Sequence, residues 1–561
     1  MCGPSAYYNV LSILNAFVTT KQKISGTCER VKSIETPDPG YDYIVVGGGG
    51  AGSVVAARLS ENPDWKVLII QDGPDESADA DDWGYRSRNE SHGCRATNGS
   101  CHFQVAKVLG GSMVHNGLVY LRGNPTDYDN WAPMGNVGWS WGHVKPFLLK
   151  GETNGKIDRV GSFWHATGGP VSVERLPYQP PLTNSILTAA METGVGISED
   201  LNGDQLTGLS VVQTTSKDGV RRSSATAYLW PVRHRKNLQI SLNSTCTRVI
   251  IENKIAVGVE YYHNDKFLTV RAAREVIVFA GTIASPQLLL LCGIGPKKHL
   301  DSVGVRVVQD LPGIGENFQD QIMYNLQYTL DESDIYDNNW AAAFEDLWPF
   351  RPVLFLATDL SKLWIFASGY VAGCAPGELD ALQSTGKRTV TPWPVYHHTR
   401  SRGRISLASN NPFDKPVIWS NVLSEPADVA GLIEAINITL KLANTDALKA
   451  HNFTLSTTPM DVCSDHPFLS TEYWVCALRQ SVVPRAHTGG TCKMGPSSDP
   501  MAVVDPQLRV YGVGGLRVAD ASIMPMVTFA NTAGPTMMIG ERAAGLIKKH
   551  SMQNFQRGCL Q

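Results

Sequence analysis

The feature that most constrains this chain is a glycine-rich turn, Gly47-Gly48-Gly49-Gly50-Ala51-Gly52, set between segments of different periodicity. Before it, Tyr43-Ile-Val-Val46 is a short apolar, β-branched run of the kind that fills a buried parallel strand. After it, Val54 to Leu59 follows a helical pattern, and Val67-Leu-Ile-Ile70 predicts a second buried strand. Gly47, Gly49 and Gly52 meet the spacing G-x-G-x-x-G. Glycine there permits a tight turn and lets a pyrophosphate approach backbone N–H groups at a helix N-terminus, where the helix dipole favours negative charge. Taken alone the spacing is weak, because glycine-rich turns occur throughout α/β proteins. A strand before it, a helix after it and a second strand beyond make it a dinucleotide-binding unit. Such units carry an acid about 20 residues on to hold a ribose hydroxyl. Here that place falls on Gln71, followed by Asp72. A glutamine oxygen accepts from a ribose hydroxyl more weakly than a carboxylate does, so either Gln71 or Asp72 fills the role.

Composition removes several other classes. Basic residues number 49 against 52 acids, a net charge of -3, and no sustained Lys/Arg block is present, which excludes a nucleic-acid partner. No stretch reaches the ~18 uninterrupted apolar residues of a membrane span. The apolar run Tyr7–Val18 is broken by Asn9, Ser12 and Asn15 and lacks a positively charged lead, so it predicts an amphipathic helix more than a signal peptide. Secretion is nonetheless favoured, with the signal trimmed from this sequence. Five N-x-S/T sequons, at Asn89, Asn98, Asn243, Asn437 and Asn452, point outward. Of eleven cysteines, Cys94/Cys101 and Cys463/Cys476 are close in sequence and flanked by polar, loop-like residues, as disulfide pairs often are. Cys2/Cys28 would staple the N-terminal segment; the alternative for each pair is free buried thiols.

Further along, Ile255 to Tyr262 alternates, Val276-Ile-Val-Phe-Ala-Gly281 is another strand into a turn, and Arg404-Ile-Ser-Leu407 predicts an exposed strand. Thr536 to Lys549 predicts a C-terminal helix.

Four separated motifs carry a family resemblance. They are Tyr43 to Gly52; Leu109-Gly-Gly-Ser-Met-Val-His-Asn-Gly-Leu-Val-Tyr-Leu-Arg-Gly123; Gly281-Thr-Ile-Ala-Ser-Pro-Gln-Leu-Leu-Leu-Leu-Cys-Gly-Ile-Gly295; and His487-Thr-Gly-Gly-Thr-Cys-Lys-Met-Gly495, running on to Gly540-Glu541. Together they span residues from about 41 to 550, and the chain resembles the glucose–methanol–choline (GMC) flavin oxidoreductases. The runs Asp127-Tyr-Asp-Asn-Trp131 and Leu516-Arg-Val-Ala-Asp-Ala-Ser522 are similar to the arthropod glucose dehydrogenase and aromatic alcohol oxidase branch. Met113 and His115 depart from the small and aliphatic residues usual in the second motif, and Cys292 replaces the usual serine of the third.

The resemblance implies an α/β fold, a Rossmann-like FAD-binding domain interleaved with an α+β substrate domain on a six-stranded antiparallel sheet. The expected division is an N-terminal helix and linker over 1–40, FAD-binding parts at 41–175, 225–330 and 481–550, substrate-domain parts at 176–224 and 331–480, and a tail at 551–561. It implies FAD as cofactor and no metal, with Gly50 and Ala51 facing the pyrophosphate and Gln71 on the adenosine ribose. Leu109, Gly111, Asn116 and Leu118 would line the flavin, Cys246 would meet the adenine through its backbone, and Asp520 and Ala521 would approach the ribityl–phosphate region. In choline oxidases a histidine in the place of His115 attaches FAD covalently. The alternative, a ring packed at the flavin edge without a bond, is preferred here.

Alcohol oxidation needs a base for the hydroxyl proton while the carbon-bound hydrogen leaves as hydride. His487, in a Thr/Gly-rich turn, matches the family's base, and Asn531 matches its second active-site residue, orienting the substrate oxygen. His397 and His398 are expected to be solvated or packing residues. Trp340, Trp348, Trp364 and Phe529 could give aromatic walls, favouring a benzylic alcohol or mandelonitrile as the small-molecule substrate, with oxygen as acceptor giving hydrogen peroxide. The alternatives are a hydroxynitrile lyase on the same fold and a quinone-linked glucose dehydrogenase. Monomer and homodimer are equally compatible with the sequence.

Overall fold

Strand β1 (Gly40–Val46) pairs in parallel with β2 (Val67–Ile70) on one side and with the strand Lys266–Val278 on the other. The computed structural model describes residues 30–76, 81–175, 182–331, 353–357, 363–368 and 387–558. Leu238–Ser241 adds outside β2, and Leu516–Val518 adds beside the end of Lys266–Val278, both again parallel. Every residue of β2 and Tyr43–Val46 of β1 are buried, which is why these segments are continuous in Val, Ile and Leu rather than alternating. The long strand Lys266–Val278 changes partners along its length. Its first half runs antiparallel to Ile255–His263, which in turn pairs with Thr245–Glu252. There the burial alternates, because only one face is covered.

The helix α1 (Gly52–Leu59) begins where the glycine turn ends and is buried along all but one of its residues. Beside it lies the helix Ala533–Gly558, longer at both ends than its apolar pattern suggests. The two approach so closely that a Cβ on Gly540 would stand 2.8 Å from the carbonyl oxygen of Ala51. Next to that contact Glu541, 1% exposed, accepts from Arg58 through both carboxylate oxygens, from the Tyr228 hydroxyl and from Lys150. A buried carboxylate with this many donors is compensated, so the Gly540-Glu541 pair serves as a helix clamp.

A second, antiparallel sheet runs in the order Thr454–Leu455, Tyr328–Asp331, Lys387–Tyr396, Leu363–Ser368, Val353–Ala357, Gly208–Val211. Two short strands, Ile322–Met323 and Val483–Pro484, join it beside Lys387–Tyr396, so the described sheet exceeds the six strands expected. The helix Pro426–Ala443 covers it, with Gly431 against the ring of Tyr396. The chain therefore passes repeatedly between a Rossmann-like parallel sheet and an α+β region, the expected α/β class. Arg404–Ser406 is indeed a strand, paired with Val417–Trp419, but Ile405 is buried rather than exposed.

Disulfides join Cys94 to Cys101 and Cys463 to Cys476. Cys2 and Cys28 lie outside the described residues. Among the described residues no helix is long and apolar enough to cross a membrane, and no cluster of His, Cys, Asp or Glu is arranged to hold a metal.

Candidate active site

A cavity of about 440 Å³ is lined by the ends of the parallel strands and by the loop that carries His487. Its first wall is the glycine turn, where Gly47, Gly49, Gly50 and Ala51 face inward. Two glycines of the turn, Gly47 and Gly52, are dictated by close approach. Gly47 has φ +103° and a Cβ there would meet the Phe279 carbonyl oxygen at 2.5 Å. A Cβ on Gly52 would sit 1.9 Å from the carbonyl oxygen of Gly47, so helix α1 can start directly behind the turn only as glycine. Opposite, Gly111 has φ +57° and its Cβ would stand 3.0 Å from Gly49 Cα. The two glycine loops thus face each other across bare backbone, which fits a pyrophosphate cradled by N–H groups at the start of α1.

Around this cradle Gln71, Asp72, Ser244, Thr245 and Cys246 line one part of the cavity. Gln71 is committed within the protein: its Oε1 accepts from the Gly48 N–H at 2.7 Å and its Nε2 donates to the Asp72 carbonyl. The Asp72 carboxylate accepts from Thr245 Oγ1 at 2.6 Å and pairs with Lys107 at 3.1 Å. Asp520 and Ala521 also line the cavity, but the Asp520 carboxylate is turned into the protein. It accepts from Gly281 N, Ser285 Oγ and Ser522 N, tying the start of the helix Gly281–Leu291 to the turn that follows Asp520. Gly111 and Asn116 face the cavity, while Leu109 and Leu118 are fully buried and do not line it. His115, on the same loop, is half-buried and does not line it either. Burial and the nearby Arg221 guanidinium hold its imidazole below the ordinary histidine range.

His487 and Asn531 line the cavity together, brought from segments 44 residues apart. Asn531 Nδ2 donates to His487 Nε2 at 3.2 Å. Its Oδ1 is buried without a hydrogen-bond partner. A buried acceptor left open costs on the order of 1–3 kcal/mol, so this oxygen is suited to a hydroxyl that arrives with substrate. The backbone at His487 is pinned by Asp320, whose carboxylate oxygens accept from Ala486 N at 3.0 Å and His487 N at 2.8 Å. That grip holds Ala486 at φ +59°, a left-handed conformation costing about 1–3 kcal/mol for a residue with a Cβ. Burial, then the Arg485 guanidinium, push the His487 imidazole well below the ordinary histidine range, so it is a neutral base at physiological pH. Burial moves Asp320 the other way, up to about 7, against the hydrogen bonds from its backbone donors.

Asp320, Gln321 and Arg485 are absent from the sequence reading. Arg485 could have been suspected from standing two residues before His487. Asp320 and Gln321 lie more than 160 residues away and carry no motif that marks them. His397 and His398 flank the ring of Phe529 at 5.0 and 5.1 Å. His397 is 4% exposed, so of the two expected roles it is the packing one that applies. Phe529 does not line the cavity. Trp340 and Trp348 lie outside the described residues, as does the side chain of Trp364.

The chain matches the GMC oxidoreductase family over residues 41–323 and 399–540. Among curated proteins it is 42% identical to glucose dehydrogenase [FAD, quinone] of Drosophila pseudoobscura pseudoobscura, covering 98% of this chain and 93% of that one. It is 34% identical to an oxygen-dependent choline dehydrogenase of Brucella melitensis biotype 1, over 90% of this chain and 95% of that one. Among solved structures it superposes on pyridoxine 4-oxidase from Mesorbium loti with a TM-score of 0.77 at 26% identity, over 90% of this chain and 98% of that one. A fungal aryl-alcohol oxidase shares the fold at a TM-score of 0.75 and 23% identity, over 92% of this chain and all of that one.

Proposed function

This chain belongs to the GMC oxidoreductase family, an FAD-dependent enzyme acting on CH–OH donors, and from that premise we propose that it oxidises a sugar hydroxyl, glucose first among candidates, with a quinone as electron acceptor. The observation that carries the substrate is the 42% identity to a quinone-linked glucose dehydrogenase over almost the whole of both chains. The aromatic-alcohol reading with oxygen as acceptor has the weaker support. Of the four aromatic residues behind it, Phe529 packs against two histidines away from the cavity, and the three tryptophan side chains lie outside the described residues.

FAD, when bound, supplies the hydride acceptor. The residues that would hold it are the two facing glycine loops at the pyrophosphate, Asp72 and Thr245 where the adenosine ribose is expected, and Asn116 with Ala521 farther along the cavity. His487 Nε2 takes the proton of the substrate hydroxyl. It is suited to this because burial and Arg485 keep it unprotonated and ready. Asn531 turns its open Oδ1 toward the substrate oxygens while its amide N–H meets His487 Nε2, so one residue orients both substrate and base.

Export from the cell fits this reading. All five sequon asparagines are solvent-exposed, and two disulfides close local loops. Removal of N-glycans from the native protein should sharpen and lower its apparent mass.

The substrate test is anaerobic mixing of the flavin-loaded protein with glucose, choline, benzyl alcohol and mandelonitrile, followed by reoxidation with benzoquinone or oxygen. Glucose should bleach the flavin fastest and benzoquinone should restore it faster than oxygen does. Faster bleaching by benzyl alcohol would replace glucose with an aromatic alcohol. Cleavage of mandelonitrile while the flavin stays yellow would mean a lyase.

A further inference from the structure

Gln321 is fully buried and sits between the two active-site residues. Its Nε2 donates to the carbonyl oxygens of Thr528 at 3.0 Å and Ala530 at 2.9 Å, in the segment that leads into Asn531. Both amide hydrogens are thereby used, and the orientation of the amide is decided: turning it over would set Oε1 against two carbonyl oxygens. Oε1 therefore faces Nδ1 of His487, 2.6 Å away. A carboxamide oxygen only accepts, so the imidazole must carry its proton on Nδ1 and its lone pair on Nε2, the atom that faces Asn531.

We propose that Gln321 is the positioning residue of this site, confining His487 to the Nδ1–H tautomer and, as a neutral acceptor in a place where a carboxylate would stabilise an imidazolium, keeping the base weak. The proposal rests on His487 being the base. The other charged and titratable groups facing His487 act with it or are already engaged. Arg485 opposes a second positive charge at His487, burial holds the His397 imidazole well below the ordinary range, and the Asp320 carboxylate is held by backbone N–H groups of Gln321, Ala486 and His487. No carboxylate meets either imidazole nitrogen of His487 among the described residues. A base so placed gives up its proton readily once the substrate carbon has been oxidised, returning to the neutral form without a carboxylate to hold the charge.

The test uses the FAD-loaded protein with ¹⁵N-labelled histidine, the His487→Asn variant assigning the His487 signals. Near neutral pH and without substrate, Nδ1 should be protonated and Nε2 bare; Gln321→Ala should give a mixture of tautomers. Flavin reduction by the best substrate should slow about 10–100-fold in Gln321→Ala, as for loss of other groups that orient a functional histidine, with flavin content unchanged. Gln321→Glu should move the acid limb of the reduction profile up by about 1–3 pH units, the effect of an opposite charge within hydrogen-bond reach. A proton on Nε2 of native His487, or an acid limb unmoved in a folded, yellow Gln321→Glu, overturns the proposal. If His487→Ala reduces its flavin as fast as native, the base lies elsewhere, yet the tautomer measurement still decides what Gln321 does to His487.

Discussion

Around the glycine turn the cavity is made of backbone, with Gly47, Gly49 and Gly50 lining it and Gly111 facing Gly49 across the gap. Around His487 it is made of side chains. Asp320–Gln321, Arg485 and Asn531 come from three separate segments and hold His487 by side-chain hydrogen bonds and burial. The first region tolerates no added carbon at Gly47 or Gly52 but depends on few side-chain identities. The second has the opposite weakness, because it can lose its chemistry while keeping its shape. Cofactor retention and catalytic rate should therefore separate cleanly by mutation.

Gly52→Ala should break the first region outright. The methyl would stand 1.9 Å from a backbone carbonyl that has nowhere to move, and the protein should purify without flavin, with a lower melting temperature. Retention of a full complement of FAD by that variant would mean the turn is looser than described.

His487→Ala tests the other side of the contrast. Flavin content and spectrum should barely change, while flavin reduction slows by the ~10²–10⁴-fold typical of positioned acid–base groups. In the native enzyme the rate should rise with pH through an apparent pKa below the ordinary histidine value of about 6.5. The sign follows from the depressed imidazole: protonation, which abolishes the base, begins only as pH falls through the lowered pKa. That limb should vanish with the imidazole.

Asn531→Ala should cost less, about 1–3 kcal/mol in the barrier to flavin reduction, because the substrate hydroxyl still meets Nε2 of His487. Saturation with substrate should not rescue it if the open Oδ1 orients the reacting group rather than only binding it.

Gln71→Glu sharpens the comparison from the cofactor side. The ribose rule alone predicts FAD binding no weaker, since a carboxylate is the stronger acceptor. The structure reverses the expectation: the variant loses the amide donor to the Asp72 carbonyl and brings a second carboxylate beside Asp72. Affinity for FAD should fall by about 0.5–1.5 kcal/mol, measured by titration of the flavin-free protein.

The smallest effect is expected at His115. As the ring does not line the cavity, acid should release FAD from the native protein and from His115→Ala alike. Colour that stays with precipitated native protein would establish the covalent bond.

What was legible in the sequence follows the same division. The β1–α1–β2 unit could be read almost residue for residue, because close backbone approach admits only glycine and double-sided burial admits only apolar residues. Cys94/Cys101 and Cys463/Cys476 were legible from spacing and setting. Gln71 could be singled out by its spacing from the glycines, but its commitment to Gly48 and Asp72 could not, since a side-chain hydrogen bond leaves no period or spacing behind it. Gln321 shows the limit most plainly. Its position relative to His487 is set by the pairing of Ile322–Met323 with Val483–Pro484, two strands too short to stand out in any pattern.

The partner change along Lys266–Val278 has a consequence for how the chain is made. Val45 finds Ile69 almost at once, but its other neighbour, Ile277, leaves the ribosome more than two hundred residues later. At about 5–20 residues per second, the open edge of β1 waits for on the order of tens of seconds with its Val and Ile side chains uncovered. During synthesis that edge is a template for pairing with other nascent chains. Production in a heterologous host should therefore be limited by aggregation of N-terminal fragments, and slowing initiation or supplying holdase chaperones should raise the soluble yield more than added FAD does.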